Sequence, residues 1–143
     1  MTIKVEIDLN AEDLIDELQD DVMSSIFGAV QNARVKMQRR SQRGTDVNGR
    51  EFKKYSKSYA EFKEKKTGKS KPVDLTLSGE MWKQIKTQDP KLNGDKVVCE
   101  VKSTTPKASD KIIENEKRGR KFFDFNEDER DQILADIREQ LNR

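Results

Sequence analysis

The sequence contains no histidine, and Cys99 is the single cysteine among its 143 residues. Histidine is the commonest general base near neutral pH and a frequent zinc ligand, so its absence removes most familiar catalytic arrangements. One cysteine cannot form an internal disulfide, and this is typical of synthesis in a reducing cytosol. No apolar run approaches the length of a membrane span. We therefore expect no catalytic residue, metal site or cofactor, and no membrane partner.

Apolar residues are also scarce, because hydrophobic residues make up 32% of the chain and charged residues 39%. The length fits one domain, and we expect a single domain over residues 1–143. Small domains bury a low fraction of their surface, so an isolated subunit with so lean a core is marginally stable. We therefore expect neighbouring copies to stabilise the fold, which makes the chain a candidate homo-oligomer.

The net charge of +2 conceals a strong segregation of charge along the chain. Residues 1–22 carry eight acids and one lysine, and residues 124–143 carry seven acids and three arginines. Residues 34–71 carry fourteen basic groups and four acids. Such a distribution bears on association rather than on fold. The acidic ends and the basic middle are suited to pairing within one subunit or head to tail between subunits.

Hydrophobic periodicity predicts a strand followed by a long helix. Apolar residues alternate with polar ones over residues 3–9, the pattern of a half-buried strand. Asn10, with Asp13 three places on, is placed to cap a helix that runs from about Ala11 to Arg40. One apolar stripe on this helix comprises Leu14, Leu18, Val22, Ile26, Val30, Ala33 and Met37.

The basic middle predicts a mobile loop over about residues 41–73, with a short helix over about 56–64. Its breakers are Gly44, Gly49, Gly68 and Pro72. The run from Asp46 to Gly49 lacks the further oxygen ligands of a calcium loop. It predicts a plain turn in which Gly49 supplies a positive φ.

The remaining chain predicts a short helix, a hairpin and a final helix. Ser78 is placed to cap the short helix, whose Met81, Trp82 and Ile85 are core candidates. Strands over about 85–88 and 96–102 flank the turn at residues 93–95, and Val97, Cys99 and Val101 share one face of the second strand.

Residues 103–121 are expected to be irregular, because Pro106 and Gly119 interrupt them. Asn126 and Glu129 form a capping box for the last helix. Its apolar face comprises Ile133, Leu134, Ile137 and Leu141. The order of elements predicts an α+β fold in which the long N-terminal helix and the C-terminal helix pack on a small, mostly antiparallel sheet.

Two separated segments carry a resemblance to a known family. The first has RGTDVNGREF at residues 43–52 and, further on, LTLSGEM at 75–81. The second has GRKFF at 119–123, shortly before the last helix. In this order and spacing they resemble the phage virion morphogenesis family, also described as tail-completion proteins. The chain departs from that family at 111–115, which lack its tyrosine and histidine, and at Phe52, where tryptophan is common.

The resemblance implies a structural virion protein rather than an enzyme. Proteins of this family act at the tail or at the neck between head and tail, commonly as a ring at the head-proximal end of the tail. For this chain it implies a hexameric ring of identical subunits whose partners are other phage tail or connector proteins. It also implies synthesis in the host bacterial cytoplasm and a final location in the virion.

Two sets of side chains are candidates for contacts with partners. Aromatic residues among charged ones suit an interface, although Phe122, Phe123 and Phe125 fit a cap over the sheet equally well. Clustered lysines and arginines suit phosphate, so the alternative function is a DNA-binding accessory protein that uses residues 34–71. The candidate interface comprises Phe52, Tyr55, Tyr59, Phe62, Phe122, Phe123 and Phe125, and the candidate basic surface comprises Arg39, Arg40, Arg43, Lys53, Lys54, Lys57, Lys63, Lys65 and Lys66.

Overall fold

The computed structural model describes residues 1–8, 16–71, 73, 75 and 79–141, with side chains in the first helix from residue 20 onwards. Its helices are α1 (Asp16–Gln42), α2 (Lys57–Thr67), α3 (Glu80–Lys83), α4 (Pro106–Lys117) and α5 (Glu127–Leu141). Its strands are β1 (Thr2–Asp8), β2 (Ile85–Thr87), β3 (Lys91–Asn93) and β4 (Lys96–Ser103). These elements confirm the α+β class.

The chain divides into two compact units. The sheet unit comprises Met1–Val35, Lys86–Lys102 and Phe125–Arg143. The arginine unit, which we name for its buried arginines, comprises Lys36–Ile85 and Ser103–Asp124. Each unit is built from stretches that lie far apart in the sequence.

In the sheet unit, β1 and β4 pair antiparallel, from Thr2 opposite Lys102 to Asp8 opposite Lys96. The alternation predicted from the sequence is present, because the odd-numbered side chains of β1 are buried and the even-numbered ones exposed. β2 also neighbours β4, and β3 pairs with β4 across the turn at Gly94, where φ is 66°. β3 was not predicted as a separate strand. The buried face of β4 carries Val97, Cys99 and Val101, as predicted.

The long helix α1 buries the predicted stripe where its side chains are described. Val22, Ile26 and Val30 have at most 2% of their surface exposed. The predicted helix start and cap, with Leu9, Asn10, Asp13 and Leu14, lie outside the described residues, as does the side chain of Leu18.

The last helix, α5, begins at the predicted capping box. The backbone N–H of Asn126 donates to Glu129 Oε1 at 3.0 Å, and the N–H of Glu129 donates to Asn126 Oδ1 at 2.8 Å. Ile133 and Ile137 are buried as predicted. The predicted apolar face was too wide, because Leu134 and Leu141 are each 38% exposed and are excluded from the core. These two leucines lie on the solvent side of the helix.

The basic stretch predicted as a loop contains regular structure in the arginine unit. Thr45 and Glu51 form an isolated β-bridge, and the predicted short helix is α2, which extends a little past its expected end. The side chain of Ser56 accepts the N–H of Tyr59 at the start of α2, and Gly68 ends the helix with a φ of 84°. Pro72 and the predicted cap Ser78 lie outside the described residues.

The expectation that residues 103–121 are irregular was wrong, because they contain α4. Thr105 caps this helix by accepting the N–H of Ala108 at 3.2 Å. Pro106 occupies the first turn, where a missing N–H costs nothing and the fixed φ favours the helix. Pro106 therefore starts a helix here instead of breaking one, and α4 buries Ile112 completely.

Candidate partner-binding site

The turn that begins at Asp46 is held by the Asp46 carboxylate and by backbone hydrogen bonds. Asp46 Oδ1 accepts the N–H groups of Asn48 and Arg50, both at 2.9 Å, and Gly49 has a φ of 78°. The prediction of a plain turn with a positive φ is confirmed. After the turn, the N–H of Phe52 donates to Gly44 O at 2.9 Å.

One backbone hydrogen bond joins this turn to the segment after α4, and the buried Arg40 binds the same segment. The N–H of Val47 donates to Lys121 O at 2.9 Å. From the end of α1, Arg40 donates through Nη1 to Phe122 O at 3.2 Å and through Nη2 to Asp124 O. Only 7% of Arg40 is exposed, so the guanidinium fork satisfies backbone carbonyls inside the unit.

Arg120 forms a second link, between the segment after α4 and the residues that follow the turn. Its Nε donates to Lys53 O at 2.8 Å and its Nη2 to Lys54 O at 3.1 Å. The guanidinium carbon lies 4.9 Å from the centroid of the Tyr55 ring, a cation–π arrangement. Burial is the largest influence on the pKa of Arg120 and lowers it, while Tyr55 acts in the opposite direction. Arg120 thus fixes the position of the residues that lead into α2.

Aromatic side chains continue from Tyr55 along α2. The rings of Tyr55 and Tyr59 meet edge to face with centroids 4.8 Å apart, and the rings of Tyr59 and Phe62 lie 6.2 Å apart. Tyr55 Oη accepts the N–H of Leu75 at 3.0 Å. Phe62 is 48% exposed, so this aromatic row runs from the interior of the arginine unit to its surface.

An open cleft of about 460 Å³ lies beside this row and belongs wholly to the arginine unit. Tyr55 and Tyr59 line one part of it, and α3 contributes Trp82. The Trp82 ring lies 5.3 Å from that of Phe122, and its buried indole N–H has no hydrogen-bond partner within the described part of the chain. Side chains of both charges line the cleft from α4 and from Arg118 directly after it, the α4 residues being Lys107, Asp110, Lys111 and Glu114.

The structure divides the predicted aromatic interface into core and cleft residues. Tyr55 and Tyr59 are half-buried and line the cleft, and Phe62 lies on the surface. Four phenylalanines are at most 6% exposed and pack in the interior, so we remove them from the candidate interface. They are Phe52, Phe122, Phe123 and Phe125.

The predicted basic surface also loses two members. Lys63 is fully buried, with Nζ 5.6 Å from the centroid of the Tyr55 ring, and Arg40 is occupied by the carbonyls described above. A buried cation needs partners inside the protein, so neither side chain is available to a phosphate. The remaining members are exposed, namely Arg39, Arg43, Lys53, Lys54, Lys57, Lys65 and Lys66.

Sequence patterns missed the α4 wall of the cleft and the link formed by Arg120. The signal for α4 was present, since Thr105 followed by Pro106 is a common helix start. No local pattern indicates the link, because its carbonyl partners Lys53 and Lys54 are more than sixty residues away. The members of this site that sequence alone indicated are Tyr55 and Tyr59.

Comparison with models of protein families, with curated proteins and with solved structures yields no match for this chain. Over the described residues, no group of His, Cys, Asp and Glu side chains is arranged to hold a metal ion. No helix in that same part of the chain is long and apolar enough to cross a membrane. The class that the structure defines is an α+β protein with an aromatic and charged cleft in its arginine unit.

Proposed function

We propose that this chain is a structural phage virion protein, a tail-completion or head–tail neck component that is not an enzyme. In this proposal it forms a hexameric ring at the head-proximal end of the tail. It is made in the host cytoplasm and enters the virion during assembly. Its partners are further copies of itself and other tail or connector proteins.

The observation that carries the proposal is the convergence of the two segments that resemble the virion morphogenesis family. Residues 43–52 and residues 119–123 lie far apart in the sequence but belong to one compact unit. The N–H of Val47 donates to Lys121 O, and Arg120 donates to two carbonyls directly after the first segment. Contact between the two segments is what a single structural motif built from both of them requires.

Assembly is the mechanism that suits this site. The cleft offers aromatic walls and both signs of charge, features that suit a protein segment better than a phosphate backbone. Within one chain, acidic ends and a basic middle match the two different surfaces that a ring brings together at each contact. Docking of a neighbouring protein segment then covers the cleft and excludes water from Tyr55 and Tyr59.

Deletion of the gene from its phage, with complementation from a plasmid, tests the proposal. We expect the deletion to leave heads and tails that do not join, or tails without a finished upper end, in electron micrographs. Gold-labelled protein should lie at the head–tail junction of complemented particles. Normal infectious particles in the absence of the protein would overturn the proposal.

A cleft variant with a matched control makes that test specific. Tyr59→Ala removes one wall of the cleft, and Lys69→Ala changes an exposed residue outside it. Loss of an aromatic contact at the centre of an interface weakens association roughly tenfold or more, so we expect Tyr59→Ala to complement poorly. Lys69→Ala should complement like the wild type. Equal complementation by both variants would remove the cleft from the docking surface.

The second candidate is a DNA-binding accessory protein, and exposed basic residues beside Phe62 favour it. Lys66 Nζ lies 5.6 Å from the Phe62 ring, and Lys65 is also exposed. An exposed ring among lysines suits base stacking next to phosphate contacts. Binding to single-stranded DNA should fall steeply with salt and weaken in Phe62→Ala. Absence of binding to both duplex and single strands at low salt would eliminate this candidate.

A further inference from the structure

The outer edge of β1 has no role in the proposed function. β1 pairs with β4 over its seven residues, and among the strands in the described part of the chain none pairs with its other edge. β1 contains neither proline nor glycine, the residues that interrupt pairing at many sheet edges. Such an edge presents backbone N–H and C=O groups that can pair with another strand.

The sequence of β1 is self-complementary when two copies run antiparallel around Val5. Counting out from Val5 in both directions places Ile3 opposite Ile7, and Lys4 opposite Glu6. The charged pair occurs twice, once on each side of the twofold axis. Opposite charges on facing residues stabilise antiparallel strands, and like charges destabilise them. In this register, apolar side chains face apolar ones on the buried face of the strand, and Lys4 faces Glu6 on its exposed face.

Neighbouring registers lose that match. Pairing centred on Lys4 places two lysines opposite each other, and pairing centred on Glu6 places two glutamates opposite each other. A shift by a single residue sets the buried face of one copy against the exposed face of the other. The side chains of β1 thus select one register, in which all seven residues are paired.

We propose that the outer edge of β1 binds β1 of a second copy of this chain, antiparallel, with Lys4 opposite Glu6. The same edge serves both copies, so the contact closes at two subunits. The proposal does not rest on the ring, which requires two different surfaces on each subunit. Absence of the protein from virions would leave this contact unaffected.

The other charged groups around this edge are compatible with the pairing. Lys96 of β4 contacts Glu6 (Nζ to Oε2, 4.0 Å) and Asp8 (Nζ to Oδ1, 3.8 Å) within the same chain. The Glu6 side chain remains 53% exposed. Because β4 lies on one side of β1 and the second copy lies on the other, Lys96 and the incoming Lys4 approach Glu6 from opposite directions.

Charge exchange at the two facing positions tests the proposal in the full chain. Lys4→Glu and Glu6→Lys each turn two attractive pairs into two repulsive ones, whereas the double variant K4E/E6K restores attraction. Sedimentation equilibrium over a range of protein concentrations should show a dimer for the wild type. Each single variant should raise the dimer dissociation constant about tenfold or more. The double variant should return it to the wild-type value.

Cysteine cross-linking provides a second measurement that does not depend on charge. A mixture of Lys4→Cys and Glu6→Cys proteins should form a disulfide-linked dimer under mild oxidation, because the two positions face each other. Lys4→Cys alone is the matched control. In the proposed register the introduced cysteines of the two copies are diagonal neighbours, at about 7 Å or more, so they should cross-link poorly. The buried native Cys99 is present in both samples.

Two results would overturn the proposal. The first is a wild type that stays monomeric at every concentration. The second is a dimer whose dissociation constant is the same in the wild type, both single variants and the double variant, since that dimer uses another surface. Circular dichroism spectra of the variants verify the fold, and we expect no change because Lys4 and Glu6 are exposed.

Discussion

The two compact units differ in what they bury. Every buried polar or charged residue within the described part of the chain lies in the arginine unit, including Arg40, Lys63 and Arg120. The buried side chains of the sheet unit are apolar, as in Ile26 and Val101. Apolar burial is non-directional and tolerates small shifts, whereas a buried guanidinium needs its acceptors at defined distances. The sheet unit thus depends on packing, and the arginine unit depends also on hydrogen-bond geometry.

This difference bears on the proposed function. Arg120 lines the cleft and its hydrogen bonds hold two distant segments together, so the shape of the cleft depends on this side chain. A satisfied buried polar network rigidifies its surroundings. A rigid cleft suits repeated docking of identical neighbours, because less conformational freedom is lost at each contact.

The largest expected effect is in the sheet unit. Ile26 is fully buried in α1, so Ile26→Ala leaves a cavity and should lower the free energy of unfolding by about 3 kcal/mol. Urea denaturation followed by circular dichroism measures this. Leu134→Ala in α5 is the matched control, because Leu134 is 38% exposed and should change stability by about 0.5 kcal/mol or less. Similar losses in the two variants would contradict an apolar core in this unit.

The next effect is in the arginine unit, at Arg120. Arg120→Ala leaves the carbonyls of Lys53 and Lys54 without their donor and should cost about 2 kcal/mol in the same urea assay. Arg120→Lys keeps the charge but lacks the planar fork, so we expect only partial recovery. Arg118→Ala is the control, since this exposed side chain forms a surface ion pair with Glu114 worth about 0.5 kcal/mol or less. A loss no larger for Arg120→Ala than for Arg118→Ala would remove the distinction between the units.

The third effect, which is confined to alkaline pH, concerns the thiol of Cys99 in the sheet. Burial, followed by the negative charges of Asp89 and Glu100, raises the pKa of Cys99 to about 12, from an ordinary value of 9.0. As the pH rises above 9.0, the unfolded thiol loses its proton before the folded one does, so this contribution to stability declines towards pH 12.

Comparison of the wild type with Cys99→Ala measures that contribution directly. The stability difference between the two proteins should be constant below pH 9 and should shrink above it. Iodoacetamide should modify the native thiol far more slowly than the urea-unfolded thiol at pH 9. Equal rates of modification would show that Cys99 is accessible and not part of an apolar face.

Sequence patterns predicted the sheet unit better than the arginine unit for a physical reason. The alternation in β1 and the stripe from Val22 to Val30 are periodic signals that reflect one buried face. The burial of Lys63 follows from tertiary contacts, and a charged residue in a basic stretch gives no local indication of it. Helix α4 was missed because Pro106 suggested a break, although the preceding Thr105 is a cap.

In the candidate site, too, sequence patterns indicated some residues and missed others. Tyr55 and Tyr59 were found because aromatic residues are conspicuous in a charged stretch. The four phenylalanines removed from the interface were equally conspicuous, yet they are buried, and composition does not distinguish a core ring from a surface ring. Arg120 was not among the candidates, since its role depends on carbonyls that only the fold brings near.

Quantitative mass spectrometry of purified mature particles tests the central claim most directly. Isotope-labelled peptides of this chain and of a tail protein of known copy number give the number of subunits in each particle. A structural neck or tail-completion ring predicts that the protein is present, at a copy number that matches a hexamer. Absence of the protein from mature particles that are fully infectious would contradict the claim.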